Sequence, residues 1–496
     1  MDKLKNMKKV ILLKILTVVI FLAASCRKDQ YLAPDISGVG ADTIILNIGD
    51  KTVLAPNITN LKGNSYIWLV NGKETVRDQI NFTFQATEPG NFDVTFKANN
   101  KGGAAEQLFE IFVEKPIAIS IDGQLAVSMC NVIEITPSVT GPDRDDYEYE
   151  WSIGDSVIGK KRNLSFISAG AGSYELTLRA TAGKQTATSS RTIIVKAEQY
   201  GNNANTVLEY APAPGKNHNW SIIGTADLWD FGAEQPLPYS EFLTKAGVLR
   251  KENAGNGLFL GSWGGSATFK FDHTVVNVPA LPDLELTAIY SNLDPPAVYV
   301  AYDRNKNGTP DNDEWYEIKN EDYGIEDLPD YEMTFTYTKT VTDTRRIYTY
   351  FTWKDNQLEP VGGEIVNMKS FSSSMTYTGA FSTRGFFPGY NMTDIPTKQV
   401  ALLDGWQNSF TRKGKRITRN LSGAPQFFRK LNVDIDMAVN VSGESVQLPG
   451  IDFVKVQKVV YPFQQDFNDG NKLKDFNMEE SRMLQVYGIL DKHLKN

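Results

Sequence analysis

The stretch DRNKNGTPDNDE, Asp303 to Glu314, gathers the residue types that a hard cation needs. Numbered from Asp303, side-chain oxygens fall at positions one, three, five, nine and twelve, as Asp303, Asn305, Asn307, Asp311 and Glu314. Gly308 stands at position six, where a calcium loop turns sharply, and Thr309 at seven offers its carbonyl. Calcium takes six to eight oxygens, so short side chains at alternate positions wrap around it and a longer glutamate closes with both oxygens. Among these ligands only Asp303, Asp311 and Glu314 bring charge, which predicts the modest affinity of extracellular modules, ~10⁻⁴ to 10⁻³ M. The competing reading is an acidic Asn-Gly turn without metal, and the completeness of the match favours calcium. The flanks PAVYVAY and EWYEI alternate as strands do, which predicts a structural staple between strands and no helix-opening switch.

Other reactive material is thin. The chain has three histidines and two cysteines, little for His-rich metal sites or His-dependent nucleophilic catalysis. His273 shares its side of a strand with Phe269 and Phe271 and reads as a buried, hydrogen-bonded histidine; His218 and His493 sit in polar surroundings without a motif. Asp434 and Asp436, two apart on one predicted strand, share a face, with Asp452 in the motif that follows. Such carboxylates suit a second metal or the acid and base of glycoside cleavage, which lie ~5 to 9.5 Å apart; hydrogen bonding to loops is the favoured reading. No Gly-rich phosphate loop, Ser-His-Asp pattern or CxxC pair is present, and the expectation is a protein that is not an enzyme. Trp220, Trp229, Trp263, Trp353 and Trp406 can stack on sugar rings or a flat macrocycle. Trp263, between Ser262 and Gly264-Gly265, is the preferred exposed candidate because small neighbours leave its face open; Trp406 in LLDGWQN is second.

These residues need elements to position them. SYIWLVNGK around Trp68 matches YEYEWSIGD around Trp151, and GNFDVTFKA from Gly90 matches GSYELTLRA from Gly172 at nearly the same spacing, so two domains follow in tandem. Each copy alternates apolar and polar residues in short strands, and a Trp facing an aromatic strand is how an immunoglobulin-like sandwich closes its core. The copies resemble PKD-like domains of bacterial surface proteins. Their predicted extents are 39–115 and 116–197. From 198 to 496 the loops lengthen, but strand signals persist in SATFKFDHTVV, PAVYVAY, EMTFTYTKTV, IYTYFTW, VDIDMAV and GIDFVKVQKVV. In the tail, Met483, Tyr487, Leu490 and Leu494 fall at helical spacing, a pattern too short to settle helix against strand. The fold expected is all-β: two tandem immunoglobulin-like sandwiches followed by a larger sandwich or jelly-roll-like module.

At 496 residues the chain has room for several cores. A net charge of −8 argues against nucleic acid, whose phosphates need a basic field. The one dense basic stretch, RKGKRITR from Arg412 to Arg419, reads as a solvated hairpin. Cys130, in AVSMCNVIEI, reads as a buried small hydrophobe. Lys3, Lys5, Lys8, Lys9 and Lys14 lead into the apolar run Ile15 to Ala24, a secretory signal over 1–25 and too short for a span of ~20 residues. LAASC looks like the lipobox of bacterial lipoproteins, in which Cys26 becomes the acylated first residue. Residues 26–38 are polar and rich in turn formers, as a flexible tether is.

A wider resemblance rests on VLEYAPAPGKNHN from Val207, GSWGGSATFKFDHTVVN from Gly261, AYDRNKNGTPDNDEWYEI from Ala301 and VDIDMAVNVSGESVQLPGIDFVKV from Val433. Their order is similar to that in a family of Bacteroidetes cell-surface lipoproteins, in which PKD-like repeats precede such a module; the stretch from about 359 to 425 departs from that pattern. The resemblance implies an outer-membrane, lipid-anchored protein that captures a nutrient, a glycan first and a corrinoid second, for a TonB-dependent transporter. The alternative is a structural or adhesive surface protein that binds other proteins.

Overall fold

The computed structural model describes residues 31–37, 42–213, 240, 243–244, 246–247, 257–319, 327–342, 346–358, 362–370, 381–382, 392–394, 401–402, 409–418, 426–460 and 484–494. Cys26, His218, Trp220, Trp229 and Trp406 lie outside the described residues. Among the described residues the regular structure is built of strands and two short 3-10 turns, apart from helical positions at 240, 243–244 and 246–247. The chain divides into two compact units, Met1–Gln124 with Ile135–Leu164 and Glu175–Thr192, and Leu125–Glu134 with Ser165–Tyr174 and Ile193–Asn496.

The two sequence repeats have one topology. In the first, a five-stranded sheet runs Ile44–Leu46, Gly103–Val113, Gly90–Asn100, Ser65–Val70, Lys73–Arg77; in the second it runs Leu125–Ser128, Gln185–Lys196, Gly172–Ala182, Glu148–Ile153, Ser156–Gly159. In both, the first strand joins parallel to the last long one, Ile44 opposite Ile111 and Leu125 opposite Ile193. Alternation puts Val94, Phe96 and Ala98 inside and Asp93 and Lys97 outside. Trp68 is fully buried against Phe82, Phe96 and Phe109, with ring centroids 5.4, 4.9 and 5.8 Å away. Its indole N–H donates to the Gln79 carbonyl at 3.0 Å. Trp151, also fully buried, donates to the carbonyls of Lys161 and Arg162. Both tryptophans are core residues, each with its one polar atom satisfied. Residues 31–37, expected within the tether, instead belong to the first sandwich, where Asp35–Ser37 pairs antiparallel with Asn57–Thr59.

In the second unit a six-stranded sheet runs Asn205–Ala211, Ser266–Val276, Gly450–Lys458, Pro296–Ala301, Trp315–Ile318, Ala438–Val439. A four-stranded sheet runs Leu258–Phe259, Gln485–Asp491, Leu284–Ser291, Phe427–Val433. Both contribute to one core, with Phe269, Val300 and Val454 from the first and Leu286, Val486 and Ile489 from the second. A further sheet runs Gly362–Ser370, Arg346–Asp355, Asp327–Thr342, Ser409–Ile417.

Two expectations change here, and one open point is decided. The tail, open between helix and strand in the sequence, is a strand, Gln485–Asp491, paired with Leu284–Ser291. An extra residue at Tyr487 shifts the register, so that Val486 and Ile489, three apart, both enter the core; Met483 lies outside the described residues. VDIDMAV is not one strand: pairing ends at Val433, Asp434 caps a 3-10 turn over Ile435–Met437, and Ala438–Val439 joins the other sheet. The basic stretch is no solvated hairpin, since Arg412 and Lys415 are buried on the strand Ser409–Ile417. Arg412 donates to the Pro212 carbonyl at 2.6 and 3.0 Å, and Lys415 bonds Glu317 and, at 3.2 Å, Asp327. Partners of this kind offset the desolvation of buried cations.

Candidate functional site

Strands flank the acidic loop on both sides: Pro296–Ala301 enters, Trp315–Ile318 leaves, and Ala301 pairs with Trp315 across its neck. Two residues bend it through the left-handed region, Lys306 at φ 56° and Gly308 at φ 81°; glycine carries no steric penalty there. The Asp303 carboxylate accepts the N–H groups of Asn307 at 3.0 Å and Gly308 at 2.7 Å. Asn305, Asn307 and Asp311 converge, with both amide groups donating to one Asp311 oxygen at 2.6 and 3.1 Å. Glu314 is buried and closes the loop by accepting the N–H groups of Arg304 at 2.9 Å and Asp311 at 3.0 Å.

This donor set fits a hard cation of modest affinity. Asp303, Asn305, Asn307 and Asp311 surround one turn; the carboxamide oxygens of Asn305 and Asn307 accept the N–H groups of Asn307 at 3.0 Å and Thr309 at 2.7 Å. The Asn305 oxygen keeps a second lone pair that an ion can use, and rotation of the Thr309 hydroxyl, which also donates to the Asn307 oxygen, frees one there. Among the described residues no three His, Cys, Asp or Glu side chains converge on one point. A cation here therefore draws on carboxylates, carboxamides and the Thr309 carbonyl together, the mixed oxygen set that calcium accepts.

The loop is fastened to the sheet from two sides. Lys270 donates to the Gly308 carbonyl at 2.7 Å. Asp452, on the central strand Gly450–Lys458, accepts from the Asp303 N–H at 2.7 Å and from the Thr274 hydroxyl at 2.6 Å. Burial raises the Asp452 pKa, and the charges of Asp303 and Glu314 push the same way against those two hydrogen bonds. Asp434 and Asp436 do other work, as hydrogen bonding to loops predicts. Asp434 accepts from the Asp436 N–H, while Asp436 accepts from Asn277 and from the Ala280 N–H.

Beside the loop lies a cleft of about 220 Å³, lined among others by Tyr200, Lys270, Asp272, His273, Tyr302 and Lys306. The His273 side chain is fully buried between two carboxylates, Asp272 at 2.6 Å and Asp491 at 2.9 Å. Burial disfavours its imidazolium, but the hydrogen bonds to Asp491 and Asp272 outweigh this and raise its pKa. The Tyr302 phenol is pushed up to about 12 by burial, helped by Asp452, Glu134 and Asp303. Cys130 is buried against Val276 and Leu494 as expected, its thiol pushed up to about 12. Sequence reasoning passed over Tyr200, Lys270 and Tyr302: Lys270 and Tyr302 meet because Ser266–Val276 and Pro296–Ala301 both pair with the distant Gly450–Lys458, and Tyr200 meets them through its ring contact with His273 at 4.9 Å. His493, which stands in polar surroundings without a motif in the sequence, bonds the fully buried Asp283 at 2.7 Å.

Trp263 is not an exposed platform. It is fully buried, donates to the Lys415 carbonyl at 3.1 Å and meets Tyr331 edge-on at 4.7 Å. Its small neighbours serve close backbone approach: a Cβ on Gly265 would stand 1.7 Å from the Leu260 carbonyl oxygen, and one on Gly264 would stand 2.6 Å from the Arg412 Cβ.

Residues 34–100 match the family model of the PKD-like domain. That domain is the first sandwich, and the second repeat shares its strand order. No curated protein matches the chain. Among solved structures, a chimeric titin Z1Z2-Z1Z2 tandem is 17% identical, over 33% of this chain and 100% of that chain, with a TM-score of 0.17. A titin I-band fragment, I67-I69, is 10% identical over 68% of this chain and 99% of that chain, with a TM-score of 0.27. The N-terminal four Ig domains of Dscam1 isoform 8.4 are 17% identical over 33% of this chain, with a TM-score of 0.22; the match spans 46% of that chain. The PKD-like domain and its tandem repeat thus stand in an all-β chain whose larger module carries the loop and the cleft.

Proposed function

We propose that this chain is a non-catalytic surface protein, anchored through Cys26, whose larger β module captures a polar ligand beside a calcium-ordered loop. The observation that carries the reading is the shared wall: Asp303 and Lys306 belong to the loop and also line the cleft. Asp303, Asn305, Asn307 and Asp311, with the Thr309 carbonyl and Glu314, would hold the ion. Bound calcium neutralises the loop's carboxylates and fixes its backbone. The cleft offers the Tyr200 ring with hydroxyl, ammonium and carboxylate groups around it, which suits one sugar ring. At about 220 Å³ it is smaller than the ~300 Å³ at which drug-sized pockets begin, so a corrin macrocycle would have to lie across its mouth. Glycan is therefore the leading ligand class, and delivery to a TonB-dependent transporter is the role this gives the protein.

The test is calorimetric titration of glycan and corrinoid panels with calcium present and with chelator. A saturable response to one glycan class that weakens about tenfold in Tyr200→Ala supports the cleft. Silence toward every small ligand, with binding to surface proteins instead, turns the reading to adhesion.

A further inference from the structure

One end of the PKD-like domain is built from three pieces: residues 31–33, the turn 60–64 and the hairpin end 100–103. The Tyr31 ring lies between the ammonium groups of Lys62 at 5.4 Å and Lys101 at 5.5 Å. The backbone is strapped down by Asn100 donating to the Leu32 carbonyl at 2.8 Å and Asn60 donating to the Ala33 carbonyl at 2.9 Å. Gly102 permits this approach, since a Cβ there would stand 2.2 Å from the Tyr31 carbonyl oxygen. On this rigid base Leu32 and Leu61 are 64% and 52% exposed, beside the exposed Lys62 and Lys101. The three pieces contain no acidic residue.

The fold does not demand that chemistry. The corresponding end of the second repeat, residues 141–147 and 182–185, carries Asp143, Arg144, Asp145, Asp146 and Lys184, and it has no large exposed hydrophobic side chain. Same topology and same end, yet leucine and lysine stand in one copy where aspartate and arginine stand in the other.

We propose that this end of the PKD-like domain docks on an anionic lipid surface, with Leu32 and Leu61 among the headgroups and Lys62 and Lys101 on their phosphates. The course of the chain selects that occupant. Cys26 stands five residues before Tyr31, and five extended residues reach at most ~18 Å. A lipidated Cys26 therefore keeps this end at the membrane interface; to that extent the inference rests on the anchor reading. Exposed leucines with lysines whose stems snorkel are the composition that interfacial surfaces use. The domain stands on the bilayer and does not swing from a long tether.

The test separates docking from anchoring. The mature full-length chain carrying Cys26→Ser, which has no acyl group, is sedimented with vesicles of phosphatidylglycerol and phosphatidylethanolamine and with neutral phosphatidylcholine vesicles. Binding to the anionic vesicles is expected, with loss at high salt. It should weaken about tenfold in Leu32→Ser/Leu61→Ser and in Lys62→Glu/Lys101→Glu, and stay unchanged in Asp145→Lys. Circular dichroism confirms that each variant is folded. Absent vesicle binding, or variants that bind like the parent, overturns the proposal. Mass spectrometry of the N-terminal peptide from the native chain reads acylation separately: an unmodified Cys26 alongside intact vesicle binding defeats the anchor and leaves the docking surface standing.

Discussion

Replacing Asp303 by alanine tests the loop most directly. The carboxylate accepts two backbone N–H groups, at 3.0 and 2.7 Å, and hydrogen bonds to charged groups contribute ~1.5 to 3 kcal/mol each when shielded. The loop is partly exposed, so a loss of about 1 to 3 kcal/mol for both together is expected without calcium. With calcium the variant loses a second increment. If Kd is ~10⁻⁴ to 10⁻³ M, about 10 mM free calcium stabilises the parent by RT ln(1 + [L]/Kd), about 1.4 to 2.7 kcal/mol. In a module of about 300 residues that shifts Tm by roughly 2 to 4 °C. The assay is a thermal melt of the full chain in calcium, in magnesium and in chelator. The parent should respond to calcium far more than to magnesium, whose strict octahedral demand suits this loop poorly. Asp303→Ala should respond to neither, and the PKD-like domain, which has no such loop, supplies an unmoved internal transition. An identical parent melt in calcium and chelator, with a flat calcium titration, refutes the reasoning.

Trp263→Ala should destabilise the larger module by about 3 to 5 kcal/mol, as removal of a buried Trp does, while folded variant retains ligand affinity; a selective loss of binding at unchanged Tm would refute its core role. The raised folded pKa of His273 makes its stabilisation fully present below the ordinary value of ~6.5 and lost as pH rises through the folded pKa. The Tm gap between the parent and His273→Asn should therefore be widest in mild acid and narrow toward alkaline pH; a gap that widens upward refutes the assignment. Cys130, buried with its thiol pushed up to about 12, should resist alkylation in the native state and react on unfolding; rapid native labelling would contradict its burial.

What the sequence disclosed was local. Alternation located the strands of both repeats and those around the loop, and loop spacing brought Asp303, Asn305, Asn307 and Asp311 around one turn because neighbours in sequence stay neighbours in space. What it hid was set by distant backbone. Small residues beside Trp263 suggest an open face, yet they exist because Leu260 and Arg412 press against them. Apolar spacing in the tail leaves helix and strand open, and only the pairing with Leu284–Ser291, bulged at Tyr487 opposite Thr287 and Ala288, decides for strand. Arg412 and Lys415 look solvated until the Pro212 carbonyl, Glu317 and Asp327 are brought to them. The cleft follows the same rule, since Lys270 and Tyr302 meet only through pairings between remote strands.

The position of Gly450–Lys458 sets an order of events during biogenesis. This segment, late in the chain, lies between Ser266–Val276 and Pro296–Ala301 at the middle of the six-stranded sheet. Until it emerges, those two earlier strands share no partner and present open hydrogen-bonding edges, the surfaces on which nascent chains aggregate. Completion of the module therefore waits on its last segments, so a translation product that stops before Gly450 should be recovered as aggregate or degraded, however intact its earlier strands.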